Sequence, residues 1–199
     1  KCHFSNRTVH GQARCIHRIL VATSDHPTDD TLAQFCKNRA IPCHRGPLSN
    51  VAARFAQVAS QEGVSAFVRV SGDSPLIDPA VMDLAIERFD QAPVDLVTNV
   101  LVRSFPKGQS VEVIQTSTFL RLCAGLTDLQ DQEHVTRAYY RHPDHHRIVG
   151  LTSGEDAGKI QLSVDTLEDF QSIERILQAC NGQPKGWREL IALKRELTV

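Results

Sequence analysis

Apolar residues recur along this chain in two rhythms. Short apolar runs with β-branched residues occupy 19–24, 67–70, 95–100, 147–152 and 160–164, as in buried strands, 41–46 reads as a short strand and exit, and 110–114 alternates apolar with polar, as a half-exposed strand does. Between them, apolar positions return every three or four residues, which predicts helices over 29–39, 51–61, 80–89, 116–123, 131–142, 166–180 and 187–197. The inward faces read as Val51, Phe55, Val58 and Ala59 in the second helix, Val81, Leu84, Ala85 and Phe89 in the third, and Phe170, Ile173, Ile176 and Leu177 in the sixth. Punctuation fits this division. Asp25 or Thr28 can cap the first helix, Ser49 the second, and Pro79 can open the third at its first position. Gly63 stops the second helix, and Gly182 with Pro184 marks the last break.

Strands alternating with helices predict an α/β fold: three layers, with a mostly parallel, twisted sheet covered on both faces and some antiparallel pairing from 110–114 and the late strands. A length of 199 residues fits a single domain, expected over 19–199, with an irregular or truncated stretch at 1–18. That stretch holds Cys2, His3, Cys15 and His17, whose spacing matches no standard zinc finger. Neither internal repeats nor low-complexity tracts break the pattern.

Composition narrows the function classes. The net charge of −1 supplies no broad basic field for nucleic acid or an anionic membrane surface. No apolar run approaches the roughly 20 residues of a membrane helix. The 6 cysteines are scattered without a CxxC, which reads as reduced thiols in a cytoplasmic protein.

The candidate chemistry gathers where strands end. In Phe67-Val68-Arg69-Val70-Ser71-Gly72-Asp73-Ser74-Pro75-Leu76-Ile77-Asp78-Pro79, an apolar strand gives way to a glycine turn and then at once to a carboxylate. Asp165 stands likewise at the end of Ile160-Gln161-Leu162-Ser163-Val164, though it can also cap the following helix. In a parallel sheet such points share one edge, so the two carboxylates can converge, and together they suit Mg²⁺ carrying phosphate ligands. Arg69 alternates away from Val68 and Val70, where it can reach a nucleotide or form a buried pair.

The string around Asp73 resembles the central motif of the cytidylyltransferases that activate acidic sugars, in the branch of spore-coat polysaccharide proteins and acylneuraminate cytidylyltransferases. The resemblance runs in one collinear order from about Ile19 to about Cys180. Asp165-Thr166-Leu167-Glu168-Asp169-Phe170 resembles the family's second metal motif, VDTPEDF, with Leu167 in place of Pro. The stretch from Thr98 to Val113 is similar to SNxxxRTYPDGLDVEV and keeps Asn99, Arg103, Pro106, Gly108 and Glu112, while Ser110 replaces an Asp. Gln132-Glu133-His134-Val135-Thr136 resembles the helix start REHVT. Arg45, Gly46 and Arg54 resemble RGSEDDVLDRY, with Ser49, Asn50 and Ala53 where acids stand.

The resemblance implies a nucleotide-diphospho-sugar transferase-like (Rossmann-like) fold. It implies transfer of CMP from CTP to an acidic keto-sugar, with Mg²⁺ as cofactor and a possible homodimer. Asp73 and Asp165 would hold the metal, and Arg69 would assist. Arg54, Ser71, Asn99, Arg103, Gly108, Glu112, Glu133 and His134 would line the substrate site, and Arg103 suits a sugar carboxylate through a bidentate pair. Such enzymes open with a phosphate-holding loop near IIQARMGSTRLPGK, which residues 1–18 do not match. Either that loop lies outside this sequence or the protein lacks it. Two alternatives stay open: a non-catalytic sugar- or nucleotide-binding protein on the same fold, and a glycosyltransferase using a nucleotide sugar.

Overall fold

The computed structural model describes Ile16 and residues 18–197. The expected irregular start at 1–18, with Cys2, His3, Cys15 and His17, therefore lies almost wholly outside the described residues. Two compact units form: 18–67 with 114–148, and 68–113 with 149–197.

In the first unit, β1 (Val21–Ser24) pairs in parallel with β2 (Cys43–Gly46), Val21 opposite Cys43 and Ser24 opposite Gly46. Helix α1 (Asp30–Asn38) connects them, entered through a single 3-10 turn, Pro27–Asp29. Helix α2 (Val51–Glu62) follows, capped by Asn50, whose side chain accepts from Ala53 N–H at 2.8 Å, rather than by Ser49. It ends at Gly63, whose φ of 62° lies in the left-handed region that favours glycine. Later come α4 (Thr116–Ala124), α5 (Leu129–Glu133) and α6 (Arg137–Arg141). The core of this unit includes Phe67 between Phe55 and Phe119, with ring centroids 6.2 and 5.3 Å away.

The helix expected over 131–142 is broken in two. Val135 and Thr136 are drawn into the core and interrupt the helical turn, while buried Asp131 accepts from Arg137 and Arg141 across the break, at 2.6 and 2.7 Å. Two carboxylates, Asp128 and Asp131, thus hold the short helices together with two guanidinium groups.

The second, four-stranded sheet has the order β3-β5-β4-β6, with β3 (Ala66–Arg69), β4 (Leu96–Thr98), β5 (Glu112–Gln115) and β6 (Ile148–Gly150). Thr116 N–H donates to Ser65 C=O and Asn99 N–H to Val111 C=O, so β5 runs antiparallel to both neighbours. Expected as half-exposed, β5 is instead buried from Val111 to Ile114, because a central strand is covered on both faces. The fold is thus mixed α/β with parallel and antiparallel pairing, as the sequence rhythm predicts.

Helix α3 (Pro79–Asp90) buries Val81, Met82, Ala85, Ile86 and Phe89, whereas Leu84, expected inside, is exposed. In α7 (Leu167–Ala179), Ile173 and Ile176 face the core, but Phe170 and Leu177 do not. The strand expected over 160–164 is extended chain with one isolated parallel bridge, Lys107 to Gln161. Its partner is a loop, so no continuous ladder of paired strands can form. Helix α8 (Trp187–Glu196) closes the described chain, and no helix among the described residues is long and apolar enough to cross a membrane.

Asp78 ties α3 to α8. One carboxylate oxygen caps α3 by accepting from Ala80 N–H at 2.9 Å, and the other accepts from Trp187 N–H at 2.9 Å, with the residue buried. Asp78→Ala removes a cap and leaves a buried N–H without its acceptor, so a loss of about 2–3 kcal/mol is expected in urea unfolding. A loss under about 0.5 kcal/mol would mean the two helices are fixed by apolar packing alone.

Candidate active site

In the second unit, the functional side chains collect where β3 and β4 end and β5 begins. Residues 71–74 form the turn predicted after β3, with Ser74 N–H donating to Ser71 C=O at 3.2 Å. Ser71, Gly72 and Asp73 are exposed at its tip. Ser74 Oγ donates to Asp73 Oδ1 at 2.8 Å.

Asp165 reaches the same rim through a ladder made of main chain. Ala157 N–H donates to Ser104 C=O (3.1 Å), Lys107 N–H to Ile160 C=O (2.9 Å) and Leu162 N–H to Lys107 C=O (2.8 Å). The last rung runs from Val164 N–H to Asp73 C=O, at 2.8 Å. Asp165 therefore follows directly on a residue bonded to Asp73 itself. Its exposed carboxylate accepts from Gln161 Nε2 at 2.7 Å. It does not cap α7. That role falls to Thr166 and Asp169, which form a reciprocal capping box, and the bonds from Thr166 hold the Asp169 carboxyl below its usual range.

The Thr98–Val113 stretch makes the wall beside the carboxylates. Gly108 (φ 89°) lies against Leu162, where a Cβ would strike the Leu162 carbonyl. Asn99 is buried with its amide committed: Nδ2 donates to Gln109 C=O at 2.6 Å, and Oδ1 accepts from Val111 N–H at 2.9 Å. Arg69 and Glu112 form an ion pair of 2.5 Å across β3 and β5, with Glu112 buried. Of the two roles open to Arg69 in the sequence, the pair is the one seen. Arg103 is exposed, and among the described residues its guanidinium has no hydrogen-bond or ion-pair partner.

Two residues of this wall carry no motif. Gln109, fully buried, accepts from Asp78 N–H at 2.8 Å and donates to Leu76 C=O at 2.7 Å. It fastens the chain following Asp73 to the Arg103 loop, and its only signal in the sequence is an amide where the resembled pattern has Leu. Gly158 lies under Arg103, and no turn signature announces it.

The remaining candidates belong to the first unit. Glu133 and His134, expected at a helix start, stand exposed at the end of α5. Arg54 Nη1 donates to Pro47 C=O at 3.0 Å, and burial lowers its pKa against the opposing pull of Asp29 and Asp25. Near it, Asp29 accepts from Thr23 Oγ1 (2.6 Å), Ser24 Oγ (2.7 Å) and Ser24 N–H (2.9 Å). These bonds, the Thr23 hydroxyl foremost, hold its carboxyl far below the ordinary range.

The cytidylyltransferase family description matches residues 8–190. The chain belongs to the cytidylyltransferase family. This cytidylyltransferase-family chain is 32% identical over 181 residues to the spore coat polysaccharide biosynthesis protein SpsF of Bacillus subtilis, covering 88% of this chain and 73% of that protein. Among solved structures it is similar to a cytidylyltransferase from Leptospira borgpetersenii serovar Hardjo-bovis, with TM-score 0.84 and 22% identity, over 90% of this chain and 76% of that one. It is also similar to a CMP:2-keto-3-deoxy-manno-octonic acid synthetase complexed with CTP, with TM-score 0.61 and 11% identity, over 84% of this chain and 83% of that one. Both structural likenesses bear on the fold.

Asp29 gives a pH test. Its folded pKa is depressed, so its contribution to stability is full above the unfolded carboxylate pKa, about 4, and is lost as pH falls further. Asp29→Ala is expected to lower the melting midpoint most above about pH 5, with the gap to the parent closing as the pH drops through about 4. A gap that widens in acid would refute the bonding described.

Proposed function

We propose that this chain transfers CMP from CTP to an acidic keto-sugar, releasing pyrophosphate. The observation that carries the reading is the bond from Val164 N–H to Asp73 C=O, which joins the two acidic loops in a cytidylyltransferase-family chain. A structural neighbour named for an acidic sugar and complexed with CTP supports the choice of substrates.

The donor set fits a hard divalent cation such as Mg²⁺. Asp73 and Asp165 offer carboxylate oxygens on adjoining loops, both exposed, and one oxygen of each is steadied by Ser74 or Gln161. No group of three or more His, Cys, Asp or Glu suited to a metal occurs among the described residues, so a cation held here would take its other ligands from waters and phosphates. When bound, the cation would supply charge stabilisation at the phosphates.

The protein's own part is holding and orienting. The main-chain ladder joins the two loops that carry the carboxylates, which limits how far the backbone must reorganise when the nucleotide arrives. The acceptor hydroxyl oxygen attacks the α-phosphorus of CTP. The bond from that phosphorus to the bridging oxygen breaks, pyrophosphate leaves, and the hydroxyl proton passes to solvent. Arg103 offers two parallel N–H donors to the sugar carboxylate, which sets the acceptor's orientation.

Calorimetry tests the reading. CTP is expected to bind with Mg²⁺ and not with EDTA. Asp73→Ala and Asp165→Ala are each expected to weaken binding by about 100-fold or more while the circular dichroism melt is kept, since the two side chains are exposed. Unchanged CTP binding in Asp73→Ala would remove the assignment, and sugar binding without CTP would favour a non-catalytic protein.

A further inference from the structure

Arg103 combines an anchored stem with an unengaged head. Its backbone sits on Gly158, which is buried in the loop after β6. A Cβ added at Gly158 would strike the Arg103 carbonyl oxygen and come within 3.0 Å of its Cγ and 3.1 Å of its carbonyl carbon. The oxygen and carbonyl carbon are backbone atoms and cannot swing aside as a side-chain tip can, so either residues 103–104 or residues 157–158 must move. Neither is loose. Ala157 N–H bonds to Ser104 C=O, Ser153 N–H donates to Ser104 Oγ at 2.8 Å, and Ser153 Oγ donates to Ser104 C=O at 3.0 Å. Beyond this tether, among the described residues the guanidinium has no bond or ion pair. Two other arginines of the unit are engaged, Arg69 with Glu112 and Arg188 with Glu155.

From this we infer that Gly158 is a positioning residue for the acceptor sugar: it lets the Arg103 backbone lie close enough to aim the guanidinium at a carboxylate. The inference rests on the CMP-transfer reading and deepens its sugar side. The contact with Gly158 lies at the start of the ladder, whereas the Asp73 rung lies at its other end. Losing the glycine therefore disturbs sugar recognition before it disturbs the carboxylates. Gly158 acts through Arg103 and touches no substrate.

Gly158→Ala, Arg103→Ala and the double variant make the test, with CTP, Mg²⁺ and 2-keto-3-deoxy-manno-octonic acid as probes. Pyrophosphate release is expected to show the sugar KM raised about tenfold or more in Gly158→Ala, with the KM for CTP and kcat within about twofold. The double variant is expected to be no worse than Arg103→Ala, because both act on one contact. Amide hydrogen exchange supplies a readout free of turnover: the Ser153 and Ala157 amides, which donate to Ser104, are expected to exchange faster in Gly158→Ala, with residues 70–78 unchanged. An unaltered sugar KM, additive losses in the double variant, or faster exchange spread equally over these amides and residues 70–78 would overturn the inference. If the parent protein neither binds CTP nor turns over the sugar, the CMP-transfer reading fails, while the exchange pattern still decides whether Gly158 holds Arg103.

Discussion

The second unit depends on a ladder of main-chain hydrogen bonds that is not a sheet. Residues 157–164 run alongside 104–107 and then on to Asp73 through four rungs of 2.8 to 3.1 Å. Each neutral bond contributes only about 1 kcal/mol net, but leaving several buried donors unmade would cost more than any one rung gives. Glycine at 108 and 158 permits the close approach, since a Cβ at either position would meet the opposing backbone. The Arg103 loop, the turn after β3 and the backbone that bears Asp165 are joined through this contact.

Much of the fold was legible because strand and helix periods were strong. The helices at 51–62, 79–90 and 167–179 lie within a residue or two of the periodic segments. Periodicity failed where burial depends on neighbours that the sequence does not name. Leu84, Phe170 and Leu177 satisfy the helical spacing yet face outward, and Glu112 alternates like a surface residue yet lies in the central strand. The break between α5 and α6 was hidden for a related reason, since burial of Val135 and the Asp131 ion pairs outweigh local helix propensity.

Of the candidate site, the strand-end carboxylates were visible because a strand giving way to a turn leaves a mark in the sequence. Gln109 and Gly158 left almost none. Their importance comes from atoms far along the chain: the Asp78 N–H and Leu76 C=O for the amide, the Arg103 carbonyl for the glycine. Charge alone also said little about Arg69 and Arg103. One is locked to a buried glutamate and the other extends from a tethered backbone, and only three-dimensional placement separates them.

The rungs are drawn from backbone atoms, which bears on how such a protein can diversify. Lys107 and Ser110 stand where the resembled pattern has acids; Lys107 is exposed and takes part in the ladder only through its peptide group. Exposed side chains of this rim, such as Lys107, can be exchanged without rewriting the scaffold beneath them, whereas the buried Gln109 amide cannot. Sequence change can thus accumulate in the decoration of the loop while the backbone join between the two acidic turns stays the same.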